Sequence, residues 1–308
     1  MRNQPQYLPP TTPTILARQN DVDSLRLLIA QRKLYSRAKR WLALRWTGML
    51  FIGVGAPVLA LFWGSSALYV GAAASLWLFL GRTLLVLIQN SLTTKAATVQ
   101  EQFDIFVFDM PDNKERSSMP SLEDIAKIVG PSDKIVETAK REKLLDWYPL
   151  DATDSGAVSV AVAQRANASY ADSLLRSTAI VWGVATALWV VIVSVVSLLS
   201  DVSATTFLLG VVIPLLPALL DVIQYDLGVW KSAGERRDLA KIIESHLSRV
   251  AGAVDGQNLL VWQERLFDLR RSAPEVPDML YKIRRKINER AMHAAARQLS
   301  ARAKDGRS

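Results

Sequence analysis

Two long uncharged stretches dominate the pattern of apolar and polar positions along this chain. The first, residues 46–88, contains one charged residue, Arg82, and the second, residues 177–220, contains only Asp201. A helix needs roughly 20 residues to cross the hydrocarbon core of a bilayer, and each stretch is about twice that length. Each therefore predicts a helical hairpin that crosses a membrane and returns. The pattern predicts an all-α integral membrane protein with two transmembrane hairpins and helical segments outside the membrane.

Each stretch divides at a short polar turn, at residues 63–66 in the first and 200–203 in the second. The predicted membrane helices, numbered one to four along the chain, span residues 46–63, 67–88, 178–199 and 204–223. Tryptophans lie near the ends of these helices or just beyond them, at Trp46, Trp63, Trp182 and Trp230. Amphipathic rings favour the membrane–water interface, so we expect these side chains there.

Basic residues set the predicted orientation in the membrane. They flank the helices on one side, at Arg37, Lys39, Arg40, Arg45, Lys95, Arg165, Arg176, Lys231, Arg236 and Arg237. Neither turn contains Lys or Arg. Since such residues accumulate in cytoplasmic loops, both termini and the middle segment are predicted to be cytoplasmic. The chain then divides into residues 1–45, hairpin 46–88, residues 89–177, hairpin 178–223 and residues 224–308.

The three cytoplasmic segments are predicted to be mainly helical after a disordered, proline-containing lead of about ten residues. Residues 94–108 and 226–251 are expected to continue helices two and four, although residues 103–108 fit either a helix or a buried connector. Further helices are predicted from Asn20, from Ser121, at residues 132–147 and 259–271, and from Asp278. Ser121 with Asp124 three positions later resembles a capping box.

The composition agrees with a protein that is partly embedded in a membrane. Of the 308 residues, 50% are hydrophobic, and 37 basic residues against 29 acidic ones give a net charge of +8. In a soluble protein this charge would suggest nucleic acid binding. Here the residues that flank the helices account for much of it, so no duplex nucleic acid is expected as a partner.

Residue types that carry catalysis are sparse. The chain has no cysteine, which excludes disulfides, a thiol nucleophile and cysteine metal sites. Neither His246 nor His293 has a second ligand at a spacing suited to a metal. The sequence contains no Gly-rich phosphate loop and no hydrolase motif. We therefore expect no enzymatic activity, no catalytic residue, no metal and no cofactor.

Four residues in the predicted membrane helices are candidates for special roles. Arg82 lies about 9 Å from the inner end of helix two, where it is either functional or able to extend its charge to the interface. A salt bridge from Arg82 to Asp221 is a hypothesis. Pro214 and Pro217 should kink helix four, either as a structural bend or as the hinge of a gated pore.

Two further features concern assembly and ligands. Polar residues are so sparse in the membrane helices that a pore would need several chains, which predicts a homo-oligomer in the lipid bilayer. Paired basic residues are candidates for binding an anionic ligand, at Arg236, Arg237, Arg270, Arg271, Arg284 and Arg285. Such clusters also occur as solvated surfaces or as contacts with acidic lipid head groups, and both alternatives remain open.

Four segments outside the hairpins resemble the SMODS-associated four-transmembrane effector family. They are residues 15–20 (ILARQN), 28–39 (LIAQRKLYSRAK), 95–104 (KAATVQEQFD) with Val107-Phe108, and 276–284 (VPDMLYKIR). One departure is residues 110–113 (MPDN), where the family often has Trp-Asn after the Val-Phe pair, so no local role is assigned to this loop.

The resemblance implies a pore-forming effector of the bacterial inner membrane in antiphage signalling. A cyclic oligonucleotide, made by a partner nucleotidyltransferase, would bind the cytoplasmic part and open or assemble a membrane lesion. Two other functions fit the residues themselves. A scaffold or receptor would dock a cytoplasmic partner without causing leakage, and a housekeeping channel or transporter would need more polar residues in its membrane helices. A membrane enzyme fits least, for want of clustered catalytic groups.

Overall fold

The computed structural model of the chain describes residues 6–62, 67–112, 118–199, 203, 205, 212–249 and 254–305. Every regular element in these ranges is a helix, which confirms the all-α prediction. The helices are α1 (Thr12–Arg18), α2 (Val22–Phe62), α3 (Ala67–Leu80), α4 (Val86–Phe108), α5 (Leu122–Val129), α6 (Ile135–Glu142), α7 (Gly156–Leu199), α8 (Ile213–Arg249), α9 (Gly256–Arg271) and α10 (Asp278–Asp305). A π-helical turn, Gly81–Leu85, joins α3 to α4, and a 3₁₀ turn, Ser132–Lys134, precedes α6.

Two stretches of helix are long and apolar enough to cross a membrane. They are Ala72–Phe108, which runs through α3 and α4, and Gly156–Val196 in α7. The described residues of α2 and α8 provide no comparable stretch, so membrane helices one and four remain predictions. The turn predicted at residues 63–66 and most of the turn at 200–203 lie outside the described residues.

The long helices run without a break between two differently packed regions. We call the described parts of residues 6–39, 93–175 and 229–305 the core domain, and those of residues 40–92 and 176–228 the bundle. The core domain has a continuous apolar interior that includes Leu28, Val99, Phe103, Val160, Ile243 and Leu259, all fully buried. The bundle instead exposes large apolar side chains, including Phe51, Leu76, Phe79, Leu87, Val184, Leu188 and Leu198. An apolar surface of this extent is typical of contact with lipid.

Continuity of the helices was predicted in two places and missed in a third. Residues 94–108 and 226–249 are helical, as expected, and residues 103–108 end α4 rather than forming a connector. Helix three was predicted to begin at residue 178, but α7 begins at Gly156. The reason is tertiary packing, because small and branched residues such as Ala161 and Val160 bury this additional part of α7 in the core domain.

The segment ahead of α1 is packed, so the prediction of a disordered lead is wrong for the residues from 6 onward. Tyr7 is buried, and its hydroxyl donates to the carbonyl oxygen of Phe108 at 2.6 Å. A Cβ on Gly156, the first residue of α7, would lie 1.9 Å from the carbonyl oxygen of Pro10. Gly256, the first residue of α9, is approached in the same way. A Cβ there would lie 1.9 Å from the carbonyl oxygen of Tyr7. Only glycine permits such close approach at these two helix N-termini.

The middle segment confirms one helix start and corrects one helix end. Ser121 caps α5 by accepting a hydrogen bond from the backbone N–H of Asp124 at 3.1 Å, as the capping pattern predicted. The helix predicted to reach residue 147 ends at Glu142. Lys143 has a φ of 56°, in the left-handed region, and the next backbone N–H, of Leu144, closes the helix end on Ala139 at 2.9 Å.

Candidate functional site

A cavity of about 670 Å³ opens in the core domain where six helices converge. Its walls come from α2, α4, α7, α8, α9 and α10, together with residues 143–148 and the linker between α9 and α10. Small-molecule sites usually have volumes of about 300–1,000 Å³ and lie where several elements meet. The cavity therefore has the size and position of a ligand site.

Two buried guanidinium groups line one side of this cavity. Arg236, on α8, is 4% exposed, and Arg270, near the end of α9, is 9% exposed. Nη1 of Arg270 donates to Oδ2 of Asp104 at 2.7 Å and lies 3.4 Å from Oε2 of Glu101. Its Nη2 is buried and has no hydrogen-bond partner among the described residues. An unpaired buried donor is costly, and a small shift of this side chain would be needed to bring the nitrogen to an acceptor in the cavity.

Arg236 is held mainly by uncharged groups. Its Nη1 donates to the carbonyl oxygen and hydroxyl of Ser232, and its Nη2 donates to the carbonyl oxygen of Leu269. Burial lowers the pKa of Arg236 to about 10, so the group remains cationic at neutral pH. These contacts place the guanidinium beside the backbone that carries Arg270. Two positive charges therefore face the same part of the cavity.

A buried polar network fixes Arg270. Gln263 donates its amide to Asp104 at 2.9 Å and to Glu101 at 2.8 Å. Burial alone would lower the pKa of Arg270, but the neighbouring Asp104, Tyr148 and Glu101 outweigh it and raise that pKa above its usual range. The guanidinium is consequently charged and immobile, which favours recognition of an anion.

Five aromatic side chains also line the cavity, namely Tyr35, Trp147, Tyr148, Tyr170 and Tyr281. Nζ of Lys39 lies 5.1 Å from the centre of the Tyr281 ring and pairs with Asp278 at 2.9 Å. Arg32 donates to the carbonyl oxygen of Glu142 at 2.6 Å. Aromatic faces stack on nucleobases, and a nearby guanidinium adds charge recognition.

The cavity also contains carboxylates, so it is not uniformly basic. The charged residues in its lining are Arg32, Lys39, Lys143, Arg236, Arg270, Asp146, Glu275, Asp278 and Glu289. Burial raises the pKa of Glu275 to about 7, and the hydrogen bond from Thr93 and the charge of Lys39 act in the opposite direction. Asp104 and Glu101 already pair with Arg270, whereas Arg236 has no carboxylate in hydrogen-bond contact among the described residues. The side of the cavity at Arg236 and Arg270 is therefore the one suited to an anionic group.

The structure separates the predicted arginine pairs. Arg236 and Arg270 line the cavity, whereas Arg237 points to Asp172 at 3.5 Å and Arg271 pairs with Asp268 at 3.2 Å on the surface. Arg284 is half-buried and lies outside the described lining of the cavity, and the side chain of Arg285 is not among those described. Neighbouring helical residues point in directions about 100° apart, so one of each pair turns inward.

Sequence reasoning missed the contribution of α2. Arg32, Tyr35, Ser36 and Lys39 line the cavity from one face of this helix. Their spacing of three, four and seven residues is the signal that could have identified them. The aromatic wall has no such signal, because Trp147, Tyr170 and Tyr281 come from three separate segments.

In the bundle, Arg82 and Asp221 form the salt bridge that the sequence suggested. Nη2 and Nε of Arg82 donate to Oδ1 of Asp221 at 2.7 and 2.9 Å. Nη2 also donates to the carbonyl oxygen of Pro217 at 3.3 Å. Pro217 lies inside α8 and Pro214 lies in the first described turn of that helix, where a role as a hinge remains a prediction.

Three aromatic rings meet inside the bundle and form what we call the aromatic cluster. Trp46 of α2 stacks on Trp182 of α7 with ring centres 4.9 Å apart. Tyr225 of α8 packs edge-on against both, at 5.3 and 6.2 Å. The two tryptophans contact each other between helices, and their position at the membrane–water interface remains a prediction.

Comparison with known proteins adds to this geometry. The sequence signature of the SMODS-associating 4TM effector domain matches residues 13–299. A protein of Bacillus cereus strain VD146, named as a probable CBASS effector molecule, is 25% identical over 213 residues, which cover 67% of this chain and 70% of that protein. No solved structure matches the chain.

Proposed function

The chain belongs to the SMODS-associating 4TM effector family, as its motifs indicated, and from this premise we propose that it is a membrane effector of antiphage defence activated by a cyclic oligonucleotide. The observation that carries the proposal is the pair of buried guanidinium groups of Arg236 and Arg270 beside a cavity of about 670 Å³. Nη2 of Arg270 has no hydrogen-bond partner among the described residues, and a small shift of this side chain on binding would let it donate to an acceptor such as a phosphate oxygen.

The other walls support a nucleotide rather than a simple anion. Tyr35, Tyr170 and Tyr281 supply aromatic faces for bases, while the carboxylates in the lining can accept hydrogen bonds from base amino groups or ribose hydroxyls. The proposal assigns no catalytic step to the cavity. Binding there shifts the protein toward a conformation that binds the nucleotide more tightly.

For the output, we propose leakage through an oligomeric lesion in the bacterial inner membrane. The exposed apolar side chains of the bundle support insertion in lipid. We propose four crossings with both termini in the cytoplasm, as the basic flanks predict, so that the core domain lies beside the soluble signal. Polar residues are sparse in the bundle, which favours a pore formed between several copies rather than within one.

The test combines binding and leakage. The purified full chain is titrated with cyclic di-AMP, cyclic di-GMP and cyclic tri-AMP by calorimetry, and the same nucleotides are added to dye-loaded liposomes that contain the protein. Arg236→Gln should weaken binding roughly 10- to 100-fold, since a charged hydrogen bond contributes about 1.5–3 kcal/mol. Arg237→Gln, one position away and outside the described cavity lining, is the matched control.

Arg236 is preferred to Arg270 for this test because removal of Arg270 would leave Glu101 and Asp104 without their cation. Binding without leakage would favour the scaffold or receptor alternative. Leakage without any nucleotide response would favour a channel. Equal binding by the Arg236 and Arg237 variants would remove the cavity from the proposal.

A further inference from the structure

The linker between α9 and α10 forms part of the cavity wall. It comprises residues 272–277 (SAPEVP), and its residues Ala273, Pro274, Glu275 and Val276 line the cavity. Arg270 lies two residues ahead of it in the same chain segment. A ligand held by Arg270 therefore contacts or adjoins this linker.

The same linker is bound to two helices that continue into the bundle. The hydroxyl of Thr93, on α4, donates to Oε1 of Glu275 at 2.6 Å. The hydroxyl of Tyr225, on α8, donates to the backbone carbonyl oxygen of Glu275 at 2.7 Å. Glu275 is itself buried. One residue of the linker thus connects the cavity wall to α4 and α8.

Contacts to the remaining long helices flank Glu275. Val276 is buried in a small apolar cluster that includes Leu174 and Leu175 of α7. Asp278, which begins α10 directly after the linker, pairs with Lys39 of α2 at 2.9 Å. The linker and the first residue of α10 therefore contact all four helices that run between the core domain and the bundle.

The composition of the linker favours transmission of a displacement. Pro274 and Pro277 have fixed φ angles, and each restricts the residue before it, so the segment has few backbone rotations with which to absorb a shift. Tyr225 extends the connection inward, because its ring belongs to the aromatic cluster with Trp46 and Trp182. A displaced linker must either break the hydrogen bond from Tyr225 or move that ring.

We propose that residues 272–277 transmit occupancy of the cavity to the bundle. In this proposal the hydrogen bond from Tyr225 to Glu275 stabilises the arrangement of the aromatic cluster seen in the structure, which does not leak. This inference rests on the proposed function for the identity of the signal. It assigns Tyr225 a positioning role, since the described lining of the cavity does not include this residue.

The experiment replaces Tyr225 with Phe, which removes the hydroxyl and keeps the ring. Leakage of liposomes in the absence of nucleotide should rise about fivefold, the equivalent of about 1 kcal/mol for one neutral hydrogen bond. Because coupling between two sites is reciprocal, the nucleotide that binds best in the titration above should also bind about fivefold more tightly. Tyr69→Phe, on the exposed surface of α3, is the control.

Each result decides the inference. Increased leakage together with tighter binding supports transmission through the linker. Increased leakage with unchanged binding, or no difference from Tyr69→Phe, overturns it. If the unmodified protein binds none of the nucleotides, the proposed trigger fails, and the leakage of Tyr225→Phe in the absence of nucleotide then decides whether the linker controls the bundle.

Discussion

The two halves of α7 contain similar apolar residues in opposite surroundings. In the core domain, Val160 and Ala163 are fully buried, while in the bundle Val184 and Leu188 on the same helix are exposed. Other parts of the chain enclose the first half, whereas much of the second half presents its side chains outward. Composition alone does not separate these cases, because lipid accepts the same residues that a protein interior accepts.

The two regions are therefore stabilised by different interactions. Burial of apolar side chains from water stabilises the core domain by roughly 25 cal/mol per Å². In the bundle, a side chain that faces lipid gains little from further packing, since lipid tails are equally apolar. Stability should therefore depend on large residues in the core domain and on polar contacts in the bundle.

The largest expected difference is between two phenylalanines. Phe103→Ala should lower the free energy of unfolding by about 3–5 kcal/mol, because it leaves a cavity in the core domain. Phe79→Ala, at a side chain that is 64% exposed on the bundle, should cost less than about 1 kcal/mol. Urea unfolding in detergent measures both. Equal losses would mean that the two regions do not differ in the way described.

An intermediate effect is expected at Glu275, on the border between the two regions. Burial raises its pKa to about 7 in the folded protein, from 4.5 for a glutamate in the unfolded chain, so the folded state binds the proton more tightly. Stability should therefore fall as pH rises through this window, and the loss should be complete above about pH 7. Relative to the unmodified protein, Glu275→Gln should gain about 3 kcal/mol between the low and high ends of the window.

Thermal unfolding at several pH values measures this difference. Glutamine has no titration of its own, so the variant should show a flatter pH profile. Parallel profiles for the two proteins would show that Glu275 remains ionised in the folded state and is not stabilised by burial in its neutral form.

The smallest of these effects compares two ion pairs. Asp221→Asn leaves Arg82 without its counter-charge in the bundle, and should cost about 2 kcal/mol, less than the ~3–5 kcal/mol of a fully buried pair. The expected loss of stability is smaller than for a fully buried pair because the side chain of Arg82 is 51% exposed. Asp268→Asn breaks the solvent-exposed pair with Arg271 in the core domain, and should cost under about 1 kcal/mol.

The charge-swapped variant Arg82→Asp with Asp221→Arg tests the pairing directly. It should recover part of what either single change loses, as measured by unfolding in detergent. No recovery would show that the geometry of these side chains, rather than their opposite charge, stabilises the bundle.

Local sequence signals predicted the elements that depend on local chemistry. The capping pattern at Ser121 identified the start of α5, and the continuation of helix two through residues 94–108 was expected, although residues 103–108 fitted a buried connector as well. The early start of α7 was missed because it depends on contacts with Pro10 and Thr12, far away in the chain. The left-handed backbone conformation of Lys143 could not be predicted either, since lysine has no preference for that conformation.

The candidate site could be predicted only in part. Pairs of arginines marked Arg236 and Arg270, but nothing in the sequence showed which member of each pair would face inward. The aromatic residues come from distant segments, and only the tertiary fold brings Trp147 and Tyr281 to the same cavity. The salt bridge of Arg82 was easier to anticipate, because few charged groups are available inside an apolar stretch.

The interior of the core domain is assembled from both ends of the chain. Ile15 and Leu28 lie before the first apolar stretch, whereas Ile243 and Leu259 lie after the second. During synthesis, the earlier residues cannot pack against these partners until both stretches have left the ribosome. Insertion of the apolar stretches thus precedes completion of the cavity, and a chain released early would lack the part of the cavity wall that α9 and α10 supply.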